Sequence, residues 1–148
     1  MADINFYHLS KSTIKQALPR LLEKILQGGK NCLLVADNQD SVKEIDAYLW
    51  SSTRIFLPHG TLDDKYPEKQ PIFVTCSNDN PNNSEVLIFA GSIDDRPLDN
   101  FEKSMLLFDG NNPNQIANAR KYWKIYSGAG HNVIYWKQND KGKWEKGL

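Results

Sequence analysis

The chain has 148 residues, enough for one domain with its own hydrophobic core and too few to divide comfortably into two. Its 18 basic and 18 acidic side chains cancel, which argues against a protein that coats DNA, because such domains are basic overall. No leading segment resembles a signal peptide and no run approaches the roughly 20 apolar residues that cross a bilayer, so we expect a cytoplasmic protein with no membrane contact.

Strand and helix patterns alternate along the sequence. In chain order, strands are predicted over residues 4–9, 31–36, 72–76, 86–89, 105–108 and 131–136, and helices over residues 14–26, 39–50 and 112–127. Ser12 is the expected N-cap of the first helix, and Gly28 with Gly29 its end. These glycines follow a helix, whereas a phosphate loop follows a strand, so they do not predict a nucleotide site. The order of elements predicts an open α/β sheet with right-handed crossovers.

Residues 1–137 form the single predicted domain, and residues 138–148 form a basic tail that we expect to fray. Positive charge is concentrated near this end, because seven cations from residue 116 onward face only Asp140 and Glu145. A long polar connection over residues 51–70 precedes the predicted strand at residue 72. Connections of this length are often functional.

Few side chains suit catalysis or metal binding. His8, His59 and His131 have no partner at metal-ligand spacing. Cys32 and Cys76 lie far apart inside apolar runs, as expected of buried thiols in a reducing compartment. The sequence therefore predicts no catalytic residue, no metal and no cofactor.

The helix over residues 112–127 carries Arg120, Trp123 and Lys124 on one side, because positions three and four apart are neighbours on a helix. An aromatic surface beside two cations can hold an anion that has an apolar attachment. A nucleic-acid phosphate and a peptide carboxylate both fit that description. The core-facing stripe of the same helix is formed by Ala119, Tyr122 and Tyr126. Helical spacing leaves open whether Trp123 is buried or exposed.

Trp50 and Phe56 lie at the start of the long polar connection. Each could fill the core or form a patch that binds a partner. The residue pattern alone favours core filling.

Several motifs spread over nearly the whole chain are weak singly and specific in their order and spacing. They are Phe6-Tyr7-His8-Leu9, Ile45-Asp46-Ala47-Tyr48-Leu49-Trp50, Phe56-Leu57-Pro58-His59-Gly60, Gln70-Pro71-Ile72, and Ala119-Arg120-Lys121-Tyr122-Trp123-Lys124-Ile125-Tyr126 followed by Gly130. In these motifs the chain resembles the chi subunit of bacterial DNA polymerase III, an accessory protein of the clamp loader. The resemblance implies a three-layer α/β/α sandwich with a Rossmann-like, mostly parallel open sheet, no nucleotide site and no catalysis.

The resemblance also implies a partner for the last helix, the acidic C-terminal tail of single-stranded DNA-binding protein, which ends in proline, phenylalanine and a free carboxylate. Arg120 would pair with that carboxylate, and Trp123 would form a wall for the terminal phenylalanine. Lys121 and Lys124 would steer the upstream aspartates. Two positions depart from the family pattern: Trp123 replaces the common tyrosine, and Ile116 replaces a lysine.

A second surface implied by the resemblance docks the psi subunit, which tethers chi to the clamp loader, or another replisome protein. By motif it contains Trp50 and Phe56, with Pro58 and His59 shaping the loop. DNA would be reached only indirectly, through the protein partners.

Two other functions remain open from the residues. Direct binding of single-stranded nucleic acid could use Trp123, Tyr122 and Tyr126 as stacking platforms, although net neutrality argues against it. A small-molecule or nucleotide-binding enzyme could use the same α/β architecture, although the missing phosphate loop argues against that.

Overall fold

An open α/β sheet flanked by helices organises the chain in a computed structural model, which describes residues 2–51, 57–61, 63, 66–77 and 79–147. The elements in chain order are β1 (Asp3–Leu9), α1 (Ile14–Gln27), β2 (Cys32–Ala36), α2 (Gln39–Ser51), β3 (His59–Gly60), a short 3-10 turn (Pro67–Lys69), β4 (Ile72–Thr75), β5 (Val86–Ala90), β6 (Lys103–Asp109), α3 (Pro113–Gly128), β7 (Asn132–Gln138) and β8 (Trp144–Lys146). Within these residues the eight strands lie in the order β3-β4-β2-β5-β6-β1-β7-β8.

Strand β1 lies in the interior of the sheet, between β6 and β7, and is parallel to both. Its side chains alternate between the two faces. Tyr7 and Leu9 join the core beneath α1 and α2, and Ile4 and Phe6 join the core beneath α3. The predicted three-layer α/β/α arrangement with a mostly parallel sheet is therefore confirmed.

The N-cap of helix α1 lies one residue later than the sequence analysis predicts. Thr13, and not Ser12, is the N-cap: its hydroxyl accepts a hydrogen bond from the Gln16 amide at 3.2 Å, and Oε1 of Gln16 accepts one from the Thr13 amide at 2.9 Å. Ser12 instead accepts a hydrogen bond from Nε2 of Gln138 at 3.1 Å. The predicted end of the helix is confirmed, because Gly28 is its C-cap.

The C-terminal tail differs from the predicted frayed segment. Residues Trp144–Lys146 form β8, which pairs antiparallel with β7. Oδ1 of Asn139 accepts a hydrogen bond from the Lys143 amide at 3.0 Å, and Gly142 has φ of 78°, a conformation that favours glycine. Trp144 packs edge-on against Tyr7 with ring centroids 5.1 Å apart. The turn residues and the aromatic packing together order the hairpin. The prediction of a frayed tail rested on the charged residues and glycines of this segment, which do not reveal these contacts.

Candidate functional site

Helix α3 is positioned by its first residues. The side chain of Asn112 accepts hydrogen bonds from the amides of Asn114 and Gln115, at 3.0 and 3.2 Å, and Pro113 occupies the first helical position. The helix then buries one side against the sheet through Ala119, Tyr122 and Tyr126. Ile116, Arg120, Trp123 and Lys124 form a ridge beside the neighbouring strand β7.

A cleft of about 360 Å³ lies between this ridge and the sheet, and we call it the α3 cleft. Residues from β1, β6, α3, β7 and the segment after β8 line it. They are His8, Phe108, Ile116, Ala119, Arg120, Trp123, Lys124, Tyr135, Lys137 and Gly147.

Trp123 forms one wall of the α3 cleft and is half-buried, which answers the question that helical spacing leaves open. Its ring meets Phe6 edge-on with centroids 5.4 Å apart, and it meets Tyr135 edge-on with centroids 5.7 Å apart. Edge-to-face contacts at this distance are favourable. They hold the indole in one orientation while part of its surface stays open to solvent.

His8 and Tyr135 contribute a polar contact to this aromatic cleft. Nδ1 of His8 is hydrogen-bonded to the Tyr135 hydroxyl. Both side chains are half-buried, and the His8 ring also lies 5.0 Å from the ring of buried Phe108. The cleft is thus apolar and aromatic inside, with one hydrogen-bonded pair.

Cations occupy the rim of the α3 cleft. Arg120, Lys124 and Lys137 line it and are exposed, and none of the lining residues that the structure describes is acidic. Burial lowers the pKa of His8, and the charges of Lys137 and Arg120 lower it further. Burial raises the pKa of Tyr135, and Arg120 partly opposes that rise. Arg120 and Lys137 are therefore close enough to influence a group inside the cleft.

This arrangement suits a ligand with an apolar end and a negative charge beside it. The aromatic walls can cover a ring, and an arginine at the rim can bind a carboxylate through two parallel hydrogen bonds. The described lining residues include no carboxylate that would repel such a ligand.

Four of the predicted site residues meet at the α3 cleft, namely Ile116, Arg120, Trp123 and Lys124. The half-buried Ile116 side chain packs against the core beside Trp123 and makes the wall apolar where the family pattern would add charge. Lys121 lies elsewhere: its ammonium is 5.2 Å from the ring centroid of Tyr122, and it does not line the cleft.

Sequence reasoning missed the strand residues that complete the cleft, His8, Phe108, Tyr135 and Lys137. The register places His8 opposite Lys137 on neighbouring parallel strands. His8 lies in the motif Phe6-Tyr7-His8-Leu9, and Lys137 belongs to the basic end of the chain. Both residues could therefore have been considered as site candidates from the sequence. The sequence does not show that β1 and β7 are neighbours in the sheet, because most of the chain separates the two strands.

Comparisons with known proteins agree with this architecture. The family profile described as "DNA polymerase III chi subunit, HolC" matches residues 1–134. The chain belongs to this family. It is also 32% identical over 95 residues to a protein of Rickettsia prowazekii (strain Madrid E) named "Probable DNA polymerase III subunit chi". That match covers 64% of this chain and 58% of the relative's length, so the chain spans less than two thirds of the relative. Membership in the chi family assigns the chain to the accessory subunits of a replicative DNA polymerase.

A second group of predicted residues lies on this chi-family protein at the end of α2. Trp50 is 57% exposed, so core filling is wrong for it, and its ring centroid lies 4.3 Å from that of His59. Buried His59 donates a hydrogen bond from Nδ1 to the Leu57 carbonyl at 2.6 Å, and its Nε2 lies 3.2 Å from Oδ1 of Asp46. Pro58 is half-buried beside it. Phe56 lies outside the described residues.

Three other features of the described part of this chi-family chain concern metal ligation, membrane spanning and base stacking. No group of three or more metal-ligating side chains occurs there, and none of its helices is long and apolar enough to span a membrane. The hypothesis in which Tyr122 and Tyr126 stack on nucleic-acid bases is wrong in those two residues, because both are buried. The Tyr122 hydroxyl instead donates a hydrogen bond to Asp95 at 2.5 Å, which raises the pKa of Tyr122 to about 12.

Proposed function

We propose that this chi-family protein is a non-catalytic adaptor that binds the acidic C-terminal tail of single-stranded DNA-binding protein in the α3 cleft. Through a second surface around Trp50 it would be tethered to the clamp loader, by a psi subunit or by another replisome protein. The observation that carries the proposal is one cleft with aromatic walls and a cationic rim.

The tail's chemistry matches the two parts of the cleft. The terminal phenylalanine ring would lie against Trp123 and Phe108, displacing water from apolar surface. Its carboxylate would pair with the guanidinium of Arg120, and the aspartates upstream would pass Lys124 and Lys137. Charge-assisted hydrogen bonds of this kind are stronger than neutral ones.

The family pattern has a lysine where this chain has Ile116, and Lys137 would replace the missing cation. Ile116 adds apolar area to the wall, and Lys137 supplies a positive charge from the facing strand β7. The site would keep its positive charge, with the lysine placed on β7 instead of on α3.

The test is a titration of the protein with a labelled acidic peptide that ends in proline, phenylalanine and a free carboxylate. The matched control is the same peptide with an amidated C-terminus. We expect only the free-carboxylate form to bind, and binding should weaken with added salt. Equal binding of both peptides, or binding of neither at low salt, would overturn the proposal.

A further inference from the structure

A second basic cleft lies on the opposite face of the sheet from the α3 cleft, between α1 and the β7–β8 hairpin, and we call it the α1 cleft. Its volume is about 430 Å³. Arg20 and Lys24 line it from α1, and Lys143 and Trp144 line it from the hairpin. Gly142, Lys143 and Trp144 of the basic C-terminal segment line it, and none of these three residues lines the α3 cleft.

Positive charge dominates the α1 cleft. Arg20, Lys24 and Lys143 are all exposed, and none of the described residues lining the cleft is acidic. The acidic neighbours in sequence have other partners: Glu23 accepts a hydrogen bond from Gln27, and Glu145 accepts one from Asn139. Arg20 and Lys24 are four positions apart on α1, about 6 Å along the helix axis, so they offer two successive anion contacts in one row.

Trp144 places an aromatic surface among these cations. It is half-buried, and its edge-on contact with Tyr7, at an interplanar angle of 79°, fixes its orientation. Tyr7 in turn stacks on Trp136 with planes 11° apart. The indole is thus supported from behind by a rigid aromatic pair, and part of its surface lines the α1 cleft.

The floor of the α1 cleft is held in place by Gln138. Its Oε1 accepts hydrogen bonds from three consecutive amides, those of Ser10, Lys11 and Ser12, at 3.0, 2.9 and 3.2 Å. Its Nε2 donates to the Ser12 hydroxyl at 3.1 Å. These bonds tie the start of α1 to the β7–β8 hairpin, so the two walls do not have to be brought together when a ligand binds.

We propose that the α1 cleft binds single-stranded nucleic acid. Phosphates would contact Arg20, Lys24 and Lys143, and a base would stack on Trp144, the combination that single-strand binders use. An acidic peptide would satisfy the cations equally well, but it would leave the supported indole unused. The chain also belongs to a family of DNA polymerase III subunits, so single strands would be near it. Because the two clefts lie on opposite faces of the sheet, a tail and a nucleic-acid strand could be bound together.

The test measures binding of a labelled oligothymidine of about 16 nucleotides to the full chain by fluorescence anisotropy. Three phosphate contacts on a single strand give a salt slope of about −2, so affinity should fall about 20-fold between roughly 50 and 200 mM salt. The triple variant Arg20→Ala, Lys24→Ala, Lys143→Ala should lose both the binding and the slope. A matched control, Lys43→Ala, Lys69→Ala, Lys103→Ala, removes the same charge outside both clefts and should retain most of the affinity.

Three further variants separate the α1 cleft from the α3 cleft, and the contribution of base stacking from that of charge. Arg120→Ala should leave oligothymidine binding unchanged, and the triple variant should leave binding of the acidic peptide unchanged. Trp144→Ala should weaken oligothymidine binding about tenfold, and Trp144→Phe should restore most of it.

Several results would overturn the proposal. They are no oligothymidine binding at about 50 mM salt, equal loss in the triple variant and the charge-matched control, and tighter binding of a polyglutamate peptide than of oligothymidine at the same residues. The last would make the α1 cleft a docking site for an acidic protein segment.

Discussion

Trp123 on α3 meets Phe6 of β1 edge-on, with ring centroids 5.4 Å apart and ring planes 73° apart. Phe6 is fully buried in an interior strand, so the wall of the α3 cleft rests on the core of the protein. A side chain supported in this way is already oriented before a ligand arrives, and less conformational entropy is lost on binding.

Replacing Trp123 should separate shape from polarity in the α3 cleft. Trp123→Ala removes the wall, and we expect the affinity for the free-carboxylate tail peptide to fall at least about tenfold, or about 1.4 kcal/mol. Trp123→Phe keeps an aromatic surface and should retain most of the affinity. Peptide titration by anisotropy gives both values, and circular dichroism checks the fold. Equal affinities for the alanine variant and the unmodified protein would remove Trp123 from the site.

Arg120 and Lys121 are adjacent in sequence but differ in position, so they form a matched pair. Arg120→Ala should cost about 1.5–3 kcal/mol of tail-binding free energy, because a charged hydrogen-bonding partner is lost from the rim. Lys121→Ala removes the same charge from outside the cleft and should cost less than about 0.5 kcal/mol. Calorimetric titration of the two variants measures the difference. A reversed order would show that the peptide lies on the other side of α3.

Tail binding should tighten as the pH falls. Burial, Lys137 and Arg120 lower the pKa of His8, so its imidazole is neutral in the free protein at neutral pH. An acidic ligand beside it favours the protonated form and raises that pKa, and binding then takes up a proton. We expect affinity to rise about two- to fivefold between roughly pH 7.5 and pH 6.

The control for this pH dependence is His8→Gln, which keeps a polar side chain and cannot be protonated in this range. Its pH profile should be nearly flat, as titrations in matched buffers would show. The sign for stability is the reverse of that for binding. A lowered folded-state pKa means that the unfolded chain binds more protons, so the contribution of His8 to stability is present above about pH 6.5 and is lost as the pH falls through its lowered folded-state pKa.

The loop between β5 and β6 should be an acid-sensitive part of the fold. Nη2 of Arg96 lies 2.7 Å from Oδ2 of Asp94. The arginine side chain is only 5% exposed, and its guanidinium lies over the ring of Phe89. Burial alone would raise the pKa of Asp94, but hydrogen bonds and charge from Arg96 outweigh it, and the pKa is lowered. This contribution is present above about pH 3.9 and is lost as the pH falls through the lowered folded-state pKa.

Asp94→Ala should destabilise the protein by about 2–3 kcal/mol, because a buried guanidinium loses its ionic partner. Asp99→Ala, in the same loop, is the control and should stay within about 0.5 kcal/mol. Urea unfolding at neutral pH gives both values. Equal stabilities for the two variants would mean that the Arg96 bond to the Ser77 carbonyl, at 2.8 Å, is sufficient by itself.

Trp50 provides a test of independence between the two proposed protein surfaces. It is exposed and far along the sheet order from the α3 cleft, so Trp50→Ala should leave tail affinity unchanged. It should lower the stability by less than about 1 kcal/mol, because its side chain is largely exposed. Its expected effect is loss of binding to a psi subunit, measured by size-exclusion chromatography of the mixed proteins. Normal complex formation by the variant would exclude this surface.

Apolar periodicity predicted the main strands and the three helices, because burial in a parallel sheet leaves continuous apolar runs such as Cys32–Ala36. It did not predict β3, because this strand has only two residues, His59 and Gly60, and neither is a large apolar residue. That histidine is buried because Nδ1 and Nε2 both find partners, on Leu57 and Asp46. Such a pairing is invisible in a polar stretch of sequence.

The α3 cleft was only half predictable. Residues on one helix share a face by spacing alone, and Ile116, Arg120, Trp123 and Lys124 all line the cleft. Lys121 was included because it is charged and adjacent, but consecutive positions on a helix point in different directions. The facing residues of β1 and β7 could not be identified because strand adjacency depends on the topology of the whole sheet.

The two ends of the sheet limit how this protein can associate with others. Among the described residues, one edge strand is the two-residue β3 and the other is the three-residue β8, whose last two residues are charged. Edges this short offer few free backbone groups on which a foreign strand could align. Continuous growth by strand addition is thereby disfavoured, and recognition of partners is left to side chains on helices and loops.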